Sequence, residues 1–118
     1  MKTLLIIDDE AGIIEEVQSF FTEEGFDVQT AETGEDGLRL IKETKPDILL
    51  LDMKLPDIHG LTILKLCKEI SPKTKIIVNT GYVDQGMVDE AEKIGRDAFL
   101  LKPFNLLHLK EEIDRLLN

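Results

Sequence analysis

The chain has 118 residues, a formal net charge of -10, 42% hydrophobic residues and a single cysteine. One compact domain spanning residues 1–118 is expected, since that length buries a core without disulfides or metals. The acidic balance argues against free DNA and anionic membranes as partners. Cys67 alone excludes an internal disulfide and fits a reducing cytoplasm.

Residues 4–7 are continuously apolar and end at Asp8-Asp9-Glu10, the pattern of a buried parallel strand. This apolar run is too short for a signal peptide, and no run reaches the about 18 residues of a membrane span. Over residues 11–24, Ile13, Ile14, Val17, Phe20 and Phe21 recur at helical spacing, with Gly25 as the stop. Residues 26–31 alternate Phe26, Val28 and Thr30 with Asp27 and Gln29, which predicts a strand with one wet face or at an edge. Thr33-Gly34-Glu35-Asp36 reads as a capping box for a helix running to Glu43 and broken by Pro46.

Residues 48–51 form a strand buried on both faces, closed by Asp52. Gly60 begins a third helix with Leu61, Ile63, Leu64, Cys67 and Ile70 inward, ended by Ser71-Pro72. A strand follows at 76–79. A polar stretch then leads to a weakly patterned helix with Val88, Ala91 and Ile94, expected to be the least stable element. Residues 98–101 make the fifth strand, ended by Lys102-Pro103. Asn105 is placed to cap a last helix with Leu106, Leu109, Ile113 and Leu116 on one stripe.

Strands joined by helices run parallel with right-handed crossovers. The pattern therefore predicts an α/β fold, a doubly wound five-stranded parallel sheet with helices on both faces. Five units are too few for an eight-stranded barrel. Parallel strands share one C-terminal edge, where open α/β sheets bind ligands. Asp8 and Asp9, Asp52, Thr80 and Lys102 all fall on that edge. Carboxylates packed together repel, and a hard dication such as Mg2+ relieves the repulsion. Lys102 supplies a further positive charge. A carboxylate beside such a cation can attack phosphorus and form an acyl phosphate, so Asp52 is read as a phosphoryl acceptor. A plain turn role for Asp52 leaves the other strand-end residues unexplained. Cys67 reads as a packing residue, His59 as a solvated loop residue and His108 as an exposed helical one. No His pair has zinc-ligand spacing.

Asp8-Asp9, Asp52, Thr80 and Lys102-Pro103, in that order at successive strand ends, resemble the receiver domains of two-component response regulators along the whole chain. The resemblance implies the flavodoxin-like strand order 2-1-3-4-5, which sets Asp9 beside Asp52. The apolar fifth strand fits an edge position poorly. The resemblance further implies that Asp9 binds Mg2+ directly, with Mn2+ able to substitute, and that Asp8 acts through water or from just behind. Asp52 is then both phosphoacceptor and metal ligand, joined by the backbone carbonyl of Lys54. Thr80 hydrogen-bonds the phosphoryl group, Lys102 pairs with it, and the bond before Pro103 is cis. Phe99 falls where the family carries an aromatic that changes rotamer. Gly81 stands where alanine is common and keeps access open.

The implied donor is a sensor histidine kinase or a histidine phosphotransfer protein, docked on the first helix through Ile13, Ile14 and Val17. The implied recipient of the signal is a downstream protein target in the cytoplasm, with no DNA and no membrane involved. Lys54 and Tyr82 are expected to control water access to the phosphoryl group. Ending after its fifth helix, the chain resembles stand-alone receivers of phosphorelays or chemotaxis. It is expected not to be an enzyme, beyond weak self-catalysed phosphorylation and dephosphorylation. Other classes compete. A haloacid dehalogenase-like phosphatase also uses an aspartyl phosphate, Mg2+ and a lysine, but it carries an aspartate where this chain has Lys54. A flavodoxin-like cofactor binder would need a phosphate loop where Asp8-Asp9-Glu10 stands. A phosphorylation-independent adaptor leaves the same sequence pattern.

Overall fold

Strands and helices alternate along the chain: β1 (Thr3–Ile7), α1 (Ala11–Glu23), β2 (Asp27–Ala31), α2 (Gly34–Thr44), β3 (Ile48–Asp52), α3 (Gly60–Ile70), β4 (Lys75–Thr80), α4 (Gln85–Ile94), β5 (Ala98–Leu101) and α5 (Leu106–Leu117). The computed structural model describes residues 1–81 and 84–118; Tyr82, given a water-access role above, lies outside the described residues. The strands form one sheet in the order β2-β1-β3-β4-β5, and every neighbouring pair is parallel. The order and the doubly wound α/β class are those expected.

The central strands explain the unbroken apolar runs. Leu5, Ile7, Leu49, Leu51, Ile76 and Val78 turn to one face and pack with Ile41, Ile63, Leu64, Cys67 and Ala91. Leu4, Ile6, Ile48, Leu50 and Ile77 turn to the other and meet Ile14, Val17 and Phe21 of α1 with Leu109 and Ile113 of α5. A sheet covered on both faces leaves no wet side, so alternation disappears. Each fully buried Leu or Ile contributes about 1.5–3 kcal/mol. The edge strand β2 keeps its alternation and is mostly half-exposed. At the opposite edge, β5 buries Ala98 and Leu100, half-buries Phe99 and leaves Leu101 52% exposed. Its apolar run is compatible with an edge because cover thins only toward its last residue.

The segment after Asp52 is fixed at both ends. Asp57 accepts hydrogen bonds from the Gly34 and Glu35 amides at 2.7 and 2.9 Å, so this loop caps the positive end of α2 across 23 and 22 residues of chain. The Glu35 amide first, then that of Gly34, holds the Asp57 carboxyl below its ordinary value. At the other end Gly60 donates to the Met53 carbonyl at 3.0 Å. A Cβ on Gly60 would lie 2.5 Å from Met53 Cα, so any side chain there would push the loop off the strand. His59, read from the sequence as a loop residue, also caps α3: its Nδ1 accepts from the Leu61 amide at 3.0 Å. Thr33 and Asn105 cap α2 and α5 as expected, and Asp84 caps α4.

Candidate functional site

Ile7 pairs with Leu51, so the chain leaves β1 at the level of Asp52, which itself pairs with Asn79 of β4. Asp8, Asp52 and Thr80 are all buried at this edge. Lys102 reaches back from the end of β5 into the same place. Its Nζ lies 3.0 Å from Asp8 Oδ2, 2.9 Å from Glu10 Oε1 and 3.1 Å from Asp52 Oδ2. One ammonium is thus ringed by three carboxylates. Asp52 Oδ1 accepts from the Lys54 amide at 3.2 Å, and Asp8 Oδ1 from the Glu10 amide at 2.8 Å. Asp8 Oδ2 makes the charge contact with Lys102 but no well-directed hydrogen bond.

Electrostatics differ for the two sides of this cluster. Burial raises the Asp52 carboxyl above its ordinary value of 3.8. The Lys54 amide opposes that rise, Asp8 adds to it and Lys102 again opposes it. Burial also works against the Lys102 charge, but hydrogen bonding to Glu10, close contact with Asp8 and the field of Asp52 outweigh it and raise the ammonium far above the usual lysine range. Lys102 gains from three anions at once, whereas Asp52 shares one cation with two competitors. The cluster therefore holds a fixed positive charge and a deficit of counter-charge for the carboxylates.

Asp9, Glu10, Asp52, Lys54, Thr80, Gly81 and Lys102 line a cavity of 350 Å³ at the sheet edge. Asp9 is exposed on its wall, while Asp8 is the buried member of the pair. A Cβ on Gly81 would lie 3.7 Å from Lys102 Cβ, an ordinary contact. Thr80 also borders a second cavity of 180 Å³ with Met53, Lys54, His59, Asp84 and Met87. Phe99 sits half-buried against the core on the α2, α3 and α4 side. The Lys102–Pro103 peptide is cis. Ligand atoms from Asp8, Glu10 and Asp52 all lie within 4.8 Å of one another. All are hard carboxylate oxygens, and Asp8 Oδ2 is buried without a directed donor, so the residues suit Mg2+ or a similar dication.

Two residues at this edge were not singled out from the sequence. Glu10 reads there as the last of three acids before a helix. Asn79 reads as the end of an apolar strand, yet its side chain is fully buried and neither polar atom hydrogen-bonds among the described residues.

Residues 4–114 match the family described as Response regulator receiver domain. The Sporulation initiation phosphotransferase F of Bacillus subtilis is 32% identical over 98% of this chain and 94% of its own length. The crystal structure of a CheY-like response regulator receiver domain protein from Methanospirillum hungatei superposes with a TM-score of 0.97 at 32% identity, covering 99% of this chain and 94% of that one. A response regulator protein from Burkholderia pseudomallei, crystallised with a phosphorylated aspartic acid, calcium ion and citrate, gives a TM-score of 0.89 at 26% identity over 95% of this chain and 66% of that one. These matches give no support to the phosphatase alternative.

Proposed function

The chain belongs to the response regulator receiver family, a family of signalling phosphoacceptors rather than classical enzymes, and from that premise we propose that Asp52 takes a phosphoryl group from a phosphohistidine of a sensor kinase or histidine phosphotransfer protein. The observation that carries this reading is the Lys102 ammonium, 3.1 Å from Asp52 Oδ2 inside an acidic cavity at the C-terminal sheet edge. An Asp52 oxygen attacks phosphorus, the phosphorus–nitrogen bond of the donor breaks, and the donor imidazole leaves with the electron pair. The Lys54 amide and Lys102 hold the carboxylate in place before the donor arrives. Lys102 then balances charge on the transferring group.

Asp8, Asp9, Asp52 and the Lys54 carbonyl would hold the cation; the resemblance assigns the direct contact to Asp9, but it is Asp8 whose oxygen lies beside Asp52, with Asp9 on the cavity wall. Mg2+, when bound, would supply positive charge to the phosphoryl oxygens beside that of Lys102. We expect phosphoryl uptake from a histidine donor to proceed in Mg2+ or Mn2+ and to stop in excess chelator, measured by gel retention of label. Equal uptake with and without chelator would contradict the cation role.

Phosphorylation adds charge and acceptor oxygens that Thr80 and Lys102 can meet. Moving a two-state balance from 1:99 to 99:1 takes about 5.5 kcal/mol. Charge-assisted hydrogen bonds give about 1.5–3 kcal/mol each, so a few suffice. The half-buried Phe99 would turn inward as Thr80 shifts, changing the α4, β5 and α5 surface offered to a downstream protein. Among the described residues no helix is long and apolar enough to cross a membrane.

Donor docking falls to α1. Ile13, Val17, Pro103 and Phe104, with Glu16 and Lys102 at its polar margin, line a cleft of 110 Å³. A donor helix seated there would lie beside Asp52. Ile14, expected on this docking face, is instead buried in the core beneath α1 and is not offered to a partner. Ile13→Arg, on the half-buried cleft wall, is expected to slow transfer from a protein donor about tenfold while leaving uptake from a small phosphoramidate donor unchanged, the cost of losing one important interface side chain. Equal slowing with both donors would place the effect in the fold rather than in docking.

A further inference from the structure

The Lys102 ammonium hydrogen-bonds Glu10 and Asp52 and makes a charge contact with Asp8 Oδ2 at 3.0 Å. Asp8 and Asp52 are almost wholly buried, at 1% and 5% side-chain exposure, but Glu10 stands at the mouth with 58%. Glu10 also occupies the N-cap position of α1, where short side chains such as Asp or Ser accept from the helix amides. It makes no such bond. Its carboxylate is turned instead to Lys102, across 92 residues of chain.

We propose that Glu10 is a positioning residue that acts through Lys102: it latches the ammonium at the rim of the cavity and so restrains phosphoryl acceptance by Asp52. This rests on the reading of Asp52 given above. To meet a phosphoryl oxygen, Lys102 must give up one of its three contacts. Asp8 is held on its other oxygen by the Glu10 amide and cannot follow the ammonium outward. Leaving Asp8 would also strand a buried charge, which is costly. Glu10 is the contact that can break cheaply, because its released carboxylate turns to water. The same carboxylate lines the cavity wall and repels an arriving anion. The transfer itself is unchanged: the phosphorus–oxygen bond to Asp52 forms as the donor bond breaks, and Lys102 moves from Glu10 to the phosphoryl group.

The test compares wild type with Glu10→Gln, using phosphoramidate as donor at Mg2+ concentrations shown by calorimetric titration to saturate each protein. Loss of the latch is expected to speed uptake about two- to fivefold, the range for an exposed ion pair, with the gap narrowing as salt is raised. A gain in rate is not what structural damage produces. Equal or slower uptake by Glu10→Gln at saturating Mg2+ would overturn the latch alone. No uptake by either protein would remove the reading of Asp52, and the latch with it.

Discussion

Asp52→Asn is expected to take up no phosphoryl group from any donor while folding more stably than the wild type in cation-free buffer at neutral pH. The first half follows from the loss of the attacking oxygen; removing a nucleophile from an enzyme costs on the order of 10⁶ in rate. The second half follows from the raised carboxyl. Burial lifts the Asp52 carboxyl above 3.8 in the folded chain. The folded state then binds this proton more readily than the unfolded one. Stability contributed by the protonated form is present at low pH and falls as pH rises from the ordinary value through the raised one. At neutral pH the charge is a burden on the fold, and an amide of the same shape removes it. Chemical denaturation of both proteins across that pH range checks the sign. A variant less stable than wild type at neutral pH would show that Asp52 is instead a structural anchor.

Lys102→Met should do the reverse. It leaves two buried carboxylates and Glu10 without their shared cation. Breaking a buried ion pair by removing one partner destabilises by about 3–5 kcal/mol, and proton uptake by the carboxylates limits the loss as pH falls. The penalty should therefore grow with pH above the ordinary carboxylate range. Added Mg2+ should restore much of it, because a cation that binds only the folded state stabilises by mass action. Thermal midpoints with and without Mg2+ measure both effects. If Lys102→Met unfolds at the wild-type midpoint without Mg2+, the ammonium is not what holds the acids together.

The parts of the site visible in the sequence are those that a strand end fixes. Asp52 and Lys102 each close an apolar run, and a parallel sheet brings such ends to one edge whatever lies between. Thr80 follows the same logic. Strand order came from family resemblance, and the sheet agrees with it. Glu10 escaped because its role depends on where Lys102 comes to rest, and nothing within a few residues records that. The Asp57 clasp on α2 escaped for the same reason, as its partners lie 22 and 23 residues away. His59 is the exposed loop residue expected, and its added cap on α3 is not legible because histidine is not among the common caps, though an unprotonated Nδ1 accepts as an aspartate oxygen does. Asn79 was hidden by its apolar neighbours; only its burial beside Asp52 marks it.

The most direct measurement is reductive trapping. Protein phosphorylated in Mg2+ is treated with borohydride, which converts an aspartyl phosphate to homoserine, and the digested peptides are sequenced by mass spectrometry. Homoserine at position 52, and at no other aspartate, is the result expected here. Intact aspartate at 52 with the label on another side chain would contradict the account at its root.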